Sequence, residues 1–113
     1  IFDFTPHLSP MFRGILSTIY VDLNKTGSQT KLIKTLSNFY NKSTFVKIMS
    51  KDKLISTNDV INSNYCHISI CKTKNKNRII ILSAIDNLIK GGAGQAIQNM
   101  NIKYGFSINT GLK

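Results

Sequence analysis

Alternation of apolar and polar positions dominates this chain, and a helical period interrupts it twice. Residues 1–5 alternate with Phe2 and Phe4 on one face and predict a first strand, after which Pro6 and Pro10 bracket an irregular link through His7 and Leu8. Residues 15–23 predict a long strand. Its face of Ile15, Ile19, Val21 and Leu23 is apolar and its face of Leu16, Thr18, Tyr20 and Asp22 is mixed, so its centre is expected to be covered on both sides. Thr26-Gly27-Ser28 makes a turn with Ser28 as N-cap of a helix over about 29–40, whose core stripe is Leu32, Ile33, Leu36, Phe39 and Tyr40. A short strand follows at 45–49. Residues 50–63 are polar, with little pattern beyond Val60 and Ile61, and predict a loop or an edge. Residues 65–71 alternate again, with Cys66, Ile68 and Ile70 opposite Tyr65, His67, Ser69 and Cys71, and 78–85 returns antiparallel across a basic turn.

The stretch 83–101, SAIDNLIKGGAGQAIQNMN, constrains the rest most. Ser83, Ala84 and Ile85 finish a buried strand, and Asp86-Asn87 is its polar rim. A helix then starts among Gly91, Gly92 and Gly94, whose bare first turn lets N–H groups approach another backbone or an anion. Ala93, Ala96, Ile97, Met100 and Tyr104 fall on one face of that helix, which Gly105 ends. Two readings stand: a tightly packed helix whose small residues fit a neighbour, or a helix start and an amide, Asn87, presented to a nucleotide cofactor. Residues 102–113 show no clear period and are expected to fray or pack as a tail. The predicted order β, β, α, β, β, β, α is α+β, with a mainly antiparallel (mixed) sheet and helices on one face.

Composition narrows the classes. At 113 residues and 42% hydrophobic content the chain is expected to form one domain with a real core, and no apolar run approaches the ~20 residues of a bilayer span. It opens on alternating residues without an initiator Met, which predicts a piece of a longer chain. The net charge of +10 raises nucleic-acid binding. Yet only Arg13 and Arg78 among 15 basic residues are arginines, and the scattered lysines, with abundant Asn and Ile, point to AT-biased coding and a solvated surface. The densest cluster, Lys72, Lys74, Lys76 and Arg78, falls in the hairpin turn. Cys66 and Cys71 sit five residues apart in one strand, face opposite ways and cannot bridge each other, which fits reduced thiols in a cytoplasm or organelle stroma.

No constellation here runs a reaction unaided. Cys66 and His67 are adjacent in a strand and face oppositely, no spacing suits zinc, and the five carboxylates, Asp3, Asp22, Asp52, Asp59 and Asp86, form no local pair. His7 has two readings, a residue lining a site or a ring bonded to its own loop backbone.

FTPHLSPMFRGILSTIYV at 4–21, SNYC at 63–66 and the block at 83–101 resemble, in register along nearly the whole chain, the C-terminal portion of the N-acetyl-gamma-glutamyl-phosphate reductase family, of the semialdehyde dehydrogenases. The resemblance implies a fragment, 1–113, of a C-terminal substrate-binding and dimerisation domain. The helix at about 91–104 would then pack toward a missing NADP-binding domain. It implies reductive dephosphorylation of N-acetylglutamyl phosphate in arginine biosynthesis: a thiolate attacks the acyl phosphate, phosphate leaves, and hydride from NADPH reduces the thioester to a semialdehyde. The family's nucleophilic Cys and its His general acid/base lie upstream of the matched segment, so no catalytic residue and no metal site is expected here, and Cys66, in the SNYC block, is not that nucleophile. Site residues carried over are Asn87, beside the nicotinamide end of NADP, with Gly91 and Gly92 as cofactor-binding, and Arg13, for a substrate carboxylate or phosphate or else in a structural salt bridge. Asn62 stands where the family usually has Gly and His67 where it usually has Asp.

The resemblance also implies a homo-oligomer formed through the sheet, while the scattered lysines, the lack of a long apolar run and the two thiols lead to the expectation of no nucleic-acid partner, no membrane partner and a cytoplasmic or stromal location. Alternatives are the related reductase of lysine biosynthesis, whose substrate is one methylene longer, aspartate-semialdehyde dehydrogenase, or, in another class, a small basic RNA-binding module.

Overall fold

The computed structural model describes residues 3–113. Its strands are β1 (Ile15–Asp22), β2 (Val46–Ile48), β3 (Cys66–Lys72) and β4 (Arg78–Ile85), and its helices are α1 (Gln29–Phe39) and α2 (Gly94–Tyr104). The four strands make one sheet in the order β1-β4-β3-β2, antiparallel at β1/β4 and β4/β3 and parallel at β3/β2. This is the expected α+β fold with a mixed sheet.

The first expected strand is not seen in its described part. Ile1 and Phe2 lie outside the described residues, and residues 3–5 are neither strand nor buried. Pro6 and Pro10, which have no N–H to give a ladder, keep the strand from continuing beyond residue 5.

Sheet register sets two faces. Ile79, Ile81, Ser83 and Ile85 of β4 share a face with Ile68 and Ile70 of β3, and Ile70 and Ile79 are fully buried there. Helix α1 lies on the β2/β3 side of the sheet. Ser28 Oγ accepts from Lys31 N at 3.1 Å, the expected N-cap, and buried Gln29 donates through Nε2 to the Ile70 carbonyl and to Asp52, each at 2.8 Å. The side chains of Leu32, Ile33, Leu36 and Tyr40 are half-buried, but Phe39 is 77% exposed and only meets Tyr40 edge-on. The narrow β2/β3 edge does not reach it. Gly91, just before α2, stands over the Ile85 side chain on this same face.

The second face carries Leu82 and Ala84, covered by Ile55 and Val60 from the segment that the pattern gave as loop or edge. That segment is thus part of the core, anchored by a single 3-10 turn at Thr57–Asp59. Strand β1, expected to be covered on both sides, is an edge strand. Its Ile15, Leu16, Ile19 and Tyr20 are 43–64% exposed, because among the described residues only β4 pairs with it and neither helix packs extensively on it.

Helix α2 turns its apolar stripe away from this chain. Ala93, Ala96, Ile97, Met100 and Tyr104 all face outward, whereas Gly94 and Asn101 are buried. Gly105 caps the helix in the left-handed conformation at φ 72°, as its position predicts. The tail beyond it packs instead of fraying. Asn101 Nδ2 donates to the carbonyls of Ile108 and Thr110 at 3.3 and 2.9 Å, and the Lys113 carbonyl accepts from Asn64 N at 2.7 Å.

Candidate functional site

The densest polar network lies where β4 ends. Asp86 is completely buried, and all four of its acceptor directions are used: Oδ1 accepts from Leu88 N at 2.9 Å and Ile89 N at 3.1 Å, Oδ2 from Asn62 N at 2.9 Å and Arg13 Nη1 at 3.1 Å. The bonds to Leu88 and Ile89 are those of an N-cap, so the carboxylate starts the following helical turn as it ends the strand. Burial alone would raise its pKa. The N–H groups of Asn62, Ile89 and Leu88 and the Arg13 guanidinium outweigh burial and hold the carboxyl below its ordinary range. Arg13 Nη1 also donates to Asn62 Oδ1 at 3.1 Å. Asn62 sits at φ 61°, the left-handed region that asparagine tolerates better than most residues, and so fills the position where glycine was expected.

Asn87, the next residue, is half-exposed. Its Oδ1 accepts from Gly14 N at 2.7 Å, and its Nδ2 hydrogens have no partner among the described residues. Gly14 is required on both counts that matter: its φ is 109°, and a methyl group there would come within 2.7 Å of Thr57 Cβ. Arg13 and Gly14 are consecutive, as are Asp86 and Asn87, so two adjacent bonds lock the entrance of β1 onto the exit of β4.

Past Asn87 the chain makes a π-helical turn, Ile89–Ala93, in which Gly92 leaves helical geometry (φ −143°, ψ −114°) before α2 begins. The N–H groups of Gly91, Ala93 and Gly94 bond to the carbonyls of Asp86, Leu88 and Ile89. The glycine turn therefore offers an accessible backbone surface, with Gly91 and Gly92 both exposed, and not a row of free donors. Behind it, Gln98 Oε1 accepts from Asn64 Nδ2 at 2.9 Å and from Lys90 Nζ at 2.8 Å, while Lys90 Nζ lies 5.5 Å from the centre of the Phe45 ring. Burial lowers the Lys90 pKa, with a smaller opposing effect from Cys66.

Of the residues singled out by sequence, Arg13 and Asn87 meet in this one network, and Gly91 and Gly92 follow it directly. Arg13 makes the salt bridge that was one of its two readings. His7 takes its backbone reading, with Nδ1 3.2 Å from the Thr5 carbonyl in an exposed loop. Cys66 and Cys71 are free thiols, and the nearest polar side-chain contact of Cys66 is Ser83 Oγ at 3.6 Å. Asp86 and Gly14 were missed as site residues. Their signal was an Asp three residues before a helical turn, an N-cap pattern, and a Gly directly after an Arg at a strand entrance.

Residues 1–87 match the family model described as semialdehyde dehydrogenase, dimerisation domain. The chain belongs to that family. Its matched part ends on Asn87, so the family's domain holds the β1 entrance, the whole sheet and both residues of the β4 exit. The chain is similar to the N-acetyl-gamma-glutamyl-phosphate reductase of Geobacter metallireducens, 50% identical over 110 residues, covering 97% of this chain and 32% of the relative. It is similar also to the reductases of the same name from Thermoanaerobacter sp., 48% identical over 109 residues (96% and 32% covered), and Staphylococcus aureus, 48% identical over 110 residues (97% and 32%). This semialdehyde dehydrogenase segment thus spans about a third of the length of the curated relatives it matches.

Proposed function

We propose that this chain is the C-terminal part of an NADP-dependent N-acetyl-gamma-glutamyl-phosphate reductase, which converts N-acetylglutamyl phosphate to the semialdehyde in arginine biosynthesis, in the cytoplasm or an organelle stroma. The observation that carries the reading is the 50% identity to a reductase of that name over 97% of the chain. The site is compatible with it. Asn87 presents an unpartnered amide NH2 next to the bare backbone of Gly91 and Gly92, and such a group suits the carboxamide end of a nicotinamide. NADP, when bound, supplies the hydride.

This chain's part is to bind and orient. Arg13 gives Nη1 to Asp86 and Asn62 and keeps its remaining N–H groups for the anionic end of the substrate. The nucleophilic Cys and the His acid/base belong to the part of the protein that precedes this segment. Two surfaces await partners in this reading. The exposed apolar residues of β1 and the sheet beside it meet a second copy, and the outward face of α2 packs on the NADP-binding domain.

The test is NADPH oxidation by the complete protein, supplied with N-acetylglutamyl phosphate, its homologue one methylene longer, and aspartyl phosphate. Preference for the first supports the arginine-pathway assignment. Preference for either other substrate assigns the chain to the lysine-pathway reductases or the aspartate-semialdehyde dehydrogenases.

A further inference from the structure

We infer that Asp86 is the positioning residue that makes Asn87 a one-way hydrogen-bond donor toward its ligand. The inference rests on the reading that Asn87 faces the cofactor, and it adds which end of the amide does so and what holds it there.

An asparagine amide has two ends of nearly equal shape, and only its partners decide which points where. Here the partner is a backbone N–H, Gly14 N at 2.7 Å, which can only donate, so the atom it meets is Oδ1 and the NH2 is the end left for a ligand. Both supports of this arrangement hang from one carboxylate. Asp86 fixes the backbone of Asn87 from the preceding position through Leu88 and Ile89, and it fixes Gly14 through Arg13, the residue before it. Asp86 is fully buried, so it touches no ligand itself and acts only through Asn87. The NH2 so presented recognises an acceptor, such as a carboxamide carbonyl, and has nothing to offer a ligand donor.

The experiment uses the complete protein with NADPH and with its 3-acetylpyridine analogue, which keeps the carbonyl and lacks the amide NH2. The wild type is expected to use both with KM values within about threefold. Asn87→Asp keeps the acceptor for Gly14 and replaces the NH2 by an oxygen. It is expected to raise both KM for NADPH and the NADPH dissociation constant, titrated by fluorescence without acyl phosphate, about tenfold and leave KM for the acyl phosphate unchanged, the size of one lost hydrogen bond. Asp86→Asn keeps an oxygen for Leu88 and Ile89 but turns an NH2 on Arg13 and Asn62. It is expected to raise KM for NADPH at least threefold, with the NADPH dissociation constant, titrated without acyl phosphate, rising by the same factor, whatever the loosened Arg13 does to KM for the acyl phosphate. If Asp86→Asn does not fold, Arg13→Lys, which loosens the same link from the other side, is read for the same rise in KM for NADPH. An active wild type whose Asn87→Asp and Asp86→Asn variants keep the wild-type KM for NADPH overturns the inference, as does a parallel loss for both substrates that tracks thermal stability. A wild type with no NADPH-dependent activity overturns the functional reading beneath it.

Discussion

Gly94 lies directly against Asn64: a methyl group on Gly94 would come within 2.6 Å of Asn64 Oδ1 and 2.8 Å of the Ile89 carbonyl. The start of α2 can therefore approach Asn64, just ahead of β3, only because residue 94 has no side chain. Gly94→Ala gains about 1 kcal/mol of helix propensity but overpacks a site walled partly by backbone, at about 1–3 kcal/mol. The net expectation is a lower unfolding free energy in urea, and equal or higher stability would show that Asn64 moves aside freely.

Asn101 holds the tail from inside. Its Nδ2 serves two carbonyls, those of Ile108 and Thr110, so Asn101→Ala leaves both without this donor and opens a small void. A loss of about 1–3 kcal/mol is expected, concentrated at residues 106–113. Hydrogen exchange locates it: uniform acceleration over the whole chain, with no excess in the tail, would contradict a local clamp.

Acid should weaken the β1/β4 junction. The Asp86 carboxyl is held below its ordinary value of 3.8, so its contribution is complete above that pH and is lost as pH falls through the depressed folded value. Asp52, lowered by Lys72 N–H and then by Gln29, adds to the same slope. In urea titrations between about pH 5 and 2, Asp86→Asn is expected to be less stable at neutral pH and to lose less on acidification. A slope equal to the wild type's would remove Asp86 from the acid response.

On the proposed assembly through β1, a charge on that strand separates copies. Ile19 is 43% exposed on the apolar face of β1, and Ile19→Lys leaves the single chain's core intact while setting a charge in the contact. A shift to smaller species in sedimentation at unchanged circular dichroism is the expected result. An unaltered oligomer would place the contact elsewhere.

The parts legible in the sequence are those where one residue type has one physical use. Ser28 as N-cap, Gly105 as left-handed cap and the β3/β4 hairpin all appear where the pattern put them. Residues 50–63 were illegible as core because only two of their side chains, Ile55 and Val60, carry the burial, with no period to announce them. The inner face of α2 was illegible for a different reason. Amides, not aliphatics, make its inner contacts through Asn64, Gln98 and Asn101, so apolarity marks the side turned away from this chain. Asp86 was visible only as a polar rim, since its partners Arg13 and Asn62 are separated from it by 73 and 24 residues.

The pairing of β1 with β4 has a kinetic consequence. The β3/β4 hairpin closes across a short turn, whereas Ile15 must find Ile85 across most of the chain, and loop closure of that length is entropically slow. Edge strand β1 is expected to dock last, and the Arg13–Asp86 and Gly14–Asn87 bonds form only when it does. Substitutions at Ile15 should then accelerate unfolding with little effect on refolding rate, while those at Ile81 slow refolding. Folding and site are thereby coupled: until the last strand closes, the Asn87 amide lacks the Gly14 N–H that orients it.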